Sequence, residues 1–195
     1  MGNAVDVRKA RAIRIGGASG GFTDRVAAIT RLASDPSVDA VVGDWLSENV
    51  MTGYGAGKAR QAQPSSLAPL EERKKTAMYA STFLQCFEPA IPHLAKNGTK
   101  LAVNAGASDT ELLAQVVKDI VVKAGFNLRI AWVEGDDVTT PFQKMLSNGH
   151  VFNSLTDGKT LAEWGHDPIC AQAYLGSLGI AEAFRRGADV VICGR

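Results

Sequence analysis

At 195 residues, with 46% hydrophobic and 21% charged residues, the chain is long enough to bury a core and has the composition of one globular domain. Its 21 basic and 20 acidic residues nearly cancel and no basic run stands out, so a nucleic-acid partner is not expected. Cys86, Cys170 and Cys193 are odd in number and far apart, no apolar run reaches membrane-spanning length and no apolar signal region opens the chain. The expectation is a cytoplasmic protein with reduced thiols and no membrane partner.

After an extension over residues 1–11, Ile13-Arg14-Ile15 reads as a strand that runs into Gly16, Gly17, Ser19, Gly20 and Gly21, with Thr23 capping a helix that carries Val26, Ile29 and Ala33 at helical spacing. Strand, glycine loop and helix N-terminus together make an anion-binding device, because free N–H groups and the helix dipole meet at one spot; a tight packing turn is the plain alternative. Gly17-Ala18-Ser19-Gly20-Gly21 also fits the nucleophile elbow G-x-S-x-G. The context fails, because only about a dozen residues precede a motif that normally follows several strands. The dinucleotide fingerprint fails too, since Ala18 stands where its second glycine belongs; Asp44, placed like a ribose-binding acid, keeps a nicotinamide enzyme open as an alternative.

A second buried strand ends at Gly43-Asp44-Trp45-Leu46-Ser47-Glu48. Residues 53–69, rich in Gly, Gln, Ser and Pro, read as a surface loop or mobile lid, and 52–59 is no Walker motif, because Thr52 and Ala59 replace its first Gly and its Mg²⁺-binding hydroxyl. A helix from about Glu71 carries Ala80, Leu84 and Phe87, bends or restarts at Pro89 and Pro92 and stops at Asn97-Gly98.

The third strand, 100–104, leads to Ser108 and Glu111 at capping-box spacing, then to a helix whose rows Leu112/Val116/Ile120 and Leu113/Val117/Val121 form an apolar stripe fit to cover a sheet. A fourth strand, 128–133, enters Glu134-Gly135-Asp136-Asp137, followed by a short helix started by Thr140-Pro141 and closed at Asn148-Gly149. Residues 152–161 read as a hairpin insertion around Asp157-Gly158. A helix over 171–186 and a last strand, 189–193, complete the pattern; a buried strand followed only by Gly194-Arg195 points to a domain truncated at its C-terminus.

The expected fold is α/β: a mostly parallel, Rossmann-like, doubly wound sheet with covering helices. Five strands each end in a polar, glycine-containing loop, and in such sheets those loops lie on one edge and form the site. Anion or cofactor binding therefore falls to Gly16, Gly17, Ser19, Gly20, Gly21, Asp44, Asn104, Gly106 and Arg195. Catalysis falls to Glu134, Asp136 and Asp137, with Asp136 and Asp137 as candidate ligands of Mg²⁺; helix capping explains Asp109 and serves as the alternative for Asp24. Cys193 reads as a packed thiol rather than a nucleophile.

Taken together, residues 12–195 resemble the acyclic terpene utilisation family, the AtuA-like proteins. The resemblance rests on Ile15-Gly16-Gly17-Ala18-Ser19-Gly20-Gly21-Phe22-Thr23-Asp24-Arg25, Val42-Gly43-Asp44-Trp45-Leu46-Ser47-Glu48, Asn104-Ala105-Gly106, Val133-Glu134-Gly135-Asp136-Asp137, Ala173-Tyr174-Leu175-Gly176 and the run from Gly187 to Arg195. The glycine-rich first motif with Phe22 and the long segment after Gly53 resemble the fungal-type branch. In that family more sequence follows the glycine-arginine pair. The resemblance implies breakdown of acyclic terpenes or related branched acids through coenzyme A thioesters, hence a small anionic substrate, and leaves a homo-oligomer open; it supplies no catalytic residue set. The leading expectation is an enzyme acting on an acyl-CoA or carboxylate, and the rival is a noncatalytic subunit or scaffold of such a pathway.

Overall fold

The computed structural model describes residues 11–20 and 25–195. Five short strands form its centre: β1 (Ile15–Ser19), β2 (Ala40–Gly43), β3 (Lys100–Val103), β4 (Ile130–Val133) and β5 (Val190–Cys193). All neighbouring pairs are parallel, in the order β1-β2-β3-β5-β4, so β5 sits between two strands made before it. The helices are α1 (Ala28–Ser34), α2 (Glu48–Arg60), α3 (Leu70–Arg73), α4 (Thr82–Phe87), α5 (Ile91–Asn97), α6 (Thr110–Lys123), α7 (Thr139–Ser147), α8 (Leu161–Trp164) and α9 (Leu178–Arg185). This is the α/β fold with a parallel sheet flanked by helices that the alternating pattern predicts.

The two faces of the sheet are covered unequally. Alternation sends Ala18, Val41, Leu101, Val103, Val190 and Ile192 to one face, where α1, α4, α5 and α6 close over them in the main core. There α6 buries Leu112, Leu113, Val116, Val117 and Val121, the stripe its sequence encodes. Trp45 meets Phe83 edge-on at 5.3 Å, and Phe83 meets Phe87 at 5.4 Å. Such fully buried apolar side chains stabilise by about 1.5–3 kcal/mol each. On the other face, among the described residues, only α9 covers the sheet, packing on Ala102, Ala131, Val133, Ala188 and Val191. The half formed by β1 and β2 is open, leaving Ile15 and Val42 exposed at 64% and 41%.

Several boundaries differ from the sequence expectation. Gly16 and Gly17 lie inside β1 rather than in a loop after it, and α1 begins only at Ala28. A Cβ on Gly16 would lie 2.7 Å from a Leu32 methyl carbon, so the glycine lets Leu32 pack directly on the strand. The expected roles of Gly21, Thr23 and Asp24, and the extension before residue 11, lie outside the described residues. Much of the expected loop 53–69 is helix: α2 runs to Arg60, its Ser47 hydroxyl accepting the Val50 N–H, and only 61–69 remains irregular.

The helix expected from Glu71 restarts at Pro89 and Pro92 as the sequence predicts, but it is also broken before Phe83: the segment is α3, a 3₁₀ turn (Lys74–Thr76), α4, a second 3₁₀ turn (Glu88–Ala90) and α5. Residues 171–177 are not helical; α9 starts at Leu178, after Gly176 takes a positive φ. The expected hairpin reduces to one antiparallel bridge, Asn153 to Thr160, after which Thr160 and Glu163 form a capping box at the start of α8. No residue from 137 to 187 is buried.

Candidate functional site

The carboxyl ends of the strands are tied together by short polar contacts. At the β1–β2 end, Asp44 N–H donates to the Ser19 carbonyl and the Ser19 hydroxyl donates back to the Asp44 carbonyl, both at 3.0 Å. Asn104, just beyond β3, clamps the turn after β2: its Oδ1 accepts the Trp45 N–H at 2.7 Å and its Nδ2 donates to Asp44 Oδ1 at 2.5 Å. The same Asp44 oxygen accepts the Leu46 N–H at 2.9 Å. Gly106 N–H donates to the Cys193 carbonyl at 2.9 Å, joining the ends of β3 and β5 so closely that a Cβ on Gly106 would stand 2.6 Å from that oxygen.

Arg195 collects four residues at this edge. Its guanidinium pairs with Glu48 at 2.8 Å, donates to the Leu46 carbonyl at 3.2 Å, lies 3.6 Å from Asp44 and stacks over the Tyr174 ring at 4.9 Å. Tyr174 donates its hydroxyl to Glu48. That hydroxyl, a backbone N–H and Arg195 together hold the Glu48 carboxyl down at about 2. Arg195 Nε is buried with no hydrogen-bond partner among the described residues.

The predicted acids separate. Asp136 is 5% exposed, and its Oδ2 accepts the Arg195 backbone N–H at 2.9 Å. Burial pushes its carboxyl above the usual range, against the pull of that N–H. Glu134 and Asp137 are exposed: Glu134 accepts the Trp132 indole N–H at 3.0 Å, and Asp137 accepts the Thr139 N–H at 3.0 Å beside the start of α7. All three line a polar cavity of about 200 Å³ together with Lys58, Arg73 and Asp109. Asp109 does not cap α6, because its carboxylate is engaged by the Met78 N–H at 2.6 Å and by Lys58 at 3.0 Å. Nor does Ser108 cap it; its hydroxyl is buried without a partner among the described residues. Among the described residues no three His, Cys, Asp or Glu side chains are grouped to hold a metal ion, so Asp136 and Asp137 find no third ligand there.

Four of the nine predicted binding residues, Gly17, Ser19, Asp44 and Asn104, gather elsewhere, around a groove of about 400 Å³ beside the open half of the sheet, while Gly16 faces Leu32, Arg195 does not line it and Gly21 lies outside the described residues. Gly17, Val42, Ala102, Ile180 and Cys193 form its apolar part, with Ser19, Asp44 and Asn104 at the strand ends. Gly20 is exposed just past β1, and Gly106 serves the strand-to-strand contact rather than the groove. Burial, with the nearby Asp136 charge, pushes the Cys193 thiol up to about 12, which keeps it neutral and fits a packed thiol. Glu48, Tyr174 and Ile180 were not singled out by sequence reasoning. Tyr174 lies in the Ala173-Tyr174-Leu175-Gly176 motif, which was the available signal.

Residues 13–195 match the sequence model described as acyclic terpene utilisation family protein AtuA. The chain belongs to this family. The match spans the glycine-bearing β1, the Asp44 turn, Asn104, Asp136 and Arg195, so every contact described above lies within the family region. No curated protein and no solved structure matches the chain. Among the described residues no helix is long and apolar enough to cross a membrane.

Proposed function

We propose that this member of the acyclic terpene utilisation family binds a branched, acyclic acyl group, as a coenzyme A thioester or free carboxylate, and acts on it as an enzyme. The observation that carries the reading is the groove on the open half of the sheet. A row of small or aliphatic side chains from Gly17 to Ile180 gives a hydrocarbon a floor, and polar groups stand only at the strand-end side. Its volume is in the range of small-molecule sites. A head group at that end meets Ser19 and Asn104, with Arg195 close behind Asp44. The substrate's charge then competes with Glu48 for the guanidinium. Asp136 does not line the groove; its buried carboxyl, raised above the usual range and held by the Arg195 N–H beside the groove residue Cys193, is the proton-carrying group of this proposal.

Calorimetry with a branched acyl-CoA, the free branched acid, a straight-chain acyl-CoA and coenzyme A alone tests the reading, with mass spectrometry following turnover. Branched acyl ligands are expected to bind most tightly, and Val42→Glu, at an exposed position on the groove wall, is expected to abolish that binding. Equal affinity for all four ligands, or for wild type and Val42→Glu, would reject the groove as the acyl site. Binding without turnover would favour the noncatalytic reading of the same groove.

A further inference from the structure

Beside the strand-end side of the groove, several donors are aimed at one carboxylate. Arg195 Nη2 donates to Glu48 Oε1 at 2.8 Å, the Tyr174 hydroxyl donates to the same oxygen, and the backbone N–H of Glu48 adds a further donor to the carboxylate. The donors are fixed from behind. Arg195 is 18% exposed, its Nη1 donates to the Leu46 carbonyl at 3.2 Å, and its Cζ lies over the Tyr174 ring at 4.9 Å from the centroid. Tyr174 is tied on both sides through the backbone, by the Ala173 N–H to the Asp136 carbonyl at 2.8 Å and the Leu175 N–H to the Arg195 carbonyl at 3.5 Å. A guanidinium fork held in this way is suited to bind a carboxylate.

The carboxylate that fills the cradle is its least anchored part. Glu48 is 73% exposed and opens α2, a helix already capped by the Ser47 hydroxyl, which accepts the Val50 N–H at 3.2 Å. Rotation about its side-chain bonds returns the Glu48 carboxylate to water and leaves the donors in place. An exposed member of an ion pair is held weakly, because it regains most of its hydration on leaving. The cradle also adjoins the groove: Asp44, which lines the groove, lies 3.6 Å from Arg195 Nη1, and Arg195 stands two positions after the groove residue Cys193. The Asp44 charge so close to the guanidinium disfavours a doubly charged head group such as a phosphate over a single carboxylate.

We propose that Arg195, Tyr174 and the Glu48 N–H form a carboxylate-binding subsite, and that the Glu48 side chain occupies it in the free protein as a built-in competitor of the ligand. The inference rests on the acyl-binding reading for the hydrocarbon part of that ligand. It narrows the reading to the free acid, because a thioester carries no carboxylate for the fork to hold and the phosphates of coenzyme A lie a pantetheine arm away from the acyl group.

NMR titration of the whole chain at low salt with a branched free acid, its methyl ester and acetate supplies the test. Glu48→Gln keeps the size and removes the charge, and should tighten the branched acid and acetate by about fivefold or more while leaving the ester unchanged. Tyr174→Phe added to Glu48→Gln removes a donor and should weaken both carboxylates again. If Glu48→Gln does not fold, as judged by its melting curve, Glu48→Ala carries the same expectation. Carboxylate affinities that stay the same, fall or are absent in the folded Glu48 variant overturn the proposal, as does an ester that tightens equally; Glu48 is then a plain tether between α2 and the Tyr174 segment. Acetate, which has no chain to lie on the groove, separates this failure from that of the acyl reading. Acetate that tightens in Glu48→Gln while the branched acid binds no better than acetate keeps the subsite and rejects the groove. A branched acid lost on Val42→Glu yet indifferent to Glu48→Gln keeps the groove and rejects the subsite.

Discussion

The Asn104 side chain spans the gap between β3 and β2, accepting from Trp45 N–H and donating to Asp44 with the two ends of one amide. Among side chains of that size only this amide offers an acceptor and a donor on two separate atoms without a charge. The same amide thus holds the backbone of Trp45 beside the core and the carboxylate of Asp44 at the groove.

Asn104→Ala should cost about 1–3 kcal/mol, the range for stranding a buried hydrogen-bonding group, since the Trp45 N–H loses its acceptor. Asn104→Asp should cost at least as much, because it sets a second carboxylate against Asp44. Urea unfolding followed by tryptophan fluorescence reads both values. Stability equal to wild type in both variants would show that the clamp is dispensable.

Two glycines near the site should respond in opposite ways to alanine. A Cβ on Gly194 would stand 2.1 Å from Asp136 Oδ2, so Gly194→Ala must displace the carboxylate and break its bond to Arg195 N–H, for a loss of about 1–3 kcal/mol. A Cβ on Gly17 meets nothing within 4 Å, and Gly17→Ala should change stability by no more than about 0.5 kcal/mol. Thermal melts of the two variants side by side check the contrast.

Asp136 carries a pH dependence whose sign follows from its surroundings. Burial raises its folded-state pKa above the unfolded value, so the folded state holds the proton more tightly than the unfolded chain does. The stability this contributes is complete below the ordinary carboxylate range, falls as pH rises through the raised folded value and is flat beyond it. Asp136→Asn keeps an oxygen for the Arg195 N–H and removes the charge, so it should abolish that fall and be at least as stable as wild type at neutral pH. Unfolding free energies across a pH series measure the difference between the two proteins. A difference that does not change with pH would refute the assignment.

The Cys193 thiol, raised to about 12, should stay unmodified when the native chain is treated with iodoacetamide at a pH of about 8, and should react fully once the chain is unfolded. Peptide mapping by mass spectrometry distinguishes the two states. Rapid native labelling at Cys193 would contradict a packed, neutral thiol.

The strands were legible because each is a short apolar run whose alternating positions, such as Val41, Leu101 and Val190, must be buried. The edge they share was legible for the same reason, since a parallel sheet brings every strand end to one side. Helix α2 was not legible. Gly53, Gly55 and Gly57 argue against a helix by propensity, yet two of them are packing positions: a Cβ on Gly55 would meet Cys170 Sγ at 2.4 Å, and one on Gly57 would meet Met78 Sδ at 2.6 Å. Neither partner is near in sequence, so tertiary contact decided against local preference. The capping role expected of Ser108 failed in a similar way. Asp109, one residue later, became the helix boundary, and its carboxylate went to Met78 and Lys58 from elsewhere in the fold.

The separation of acids from groove residues could not be seen in the sequence either. Glu134, Asp136 and Asp137 are nearly adjacent in the chain, but only Asp136 turns inward to the Arg195 backbone while its neighbours stay in solvent. One residue of difference in a loop changes a buried carboxyl into a surface charge.

The strand order carries a consequence for chain growth. As the polypeptide emerges, β1, β2 and β3 can join in the sequence in which they are made, each beside the one before. β4 then appears with no neighbour to receive it, because its place is next to β5 and not next to β3. Until β5 has been synthesised and slipped between them, β4 and the long excursion after it stay tethered to a three-stranded nucleus through α6. Their apolar edge is open to chaperones for that whole interval. Assembly of this sheet is timed by a strand that arrives late and enters in the middle.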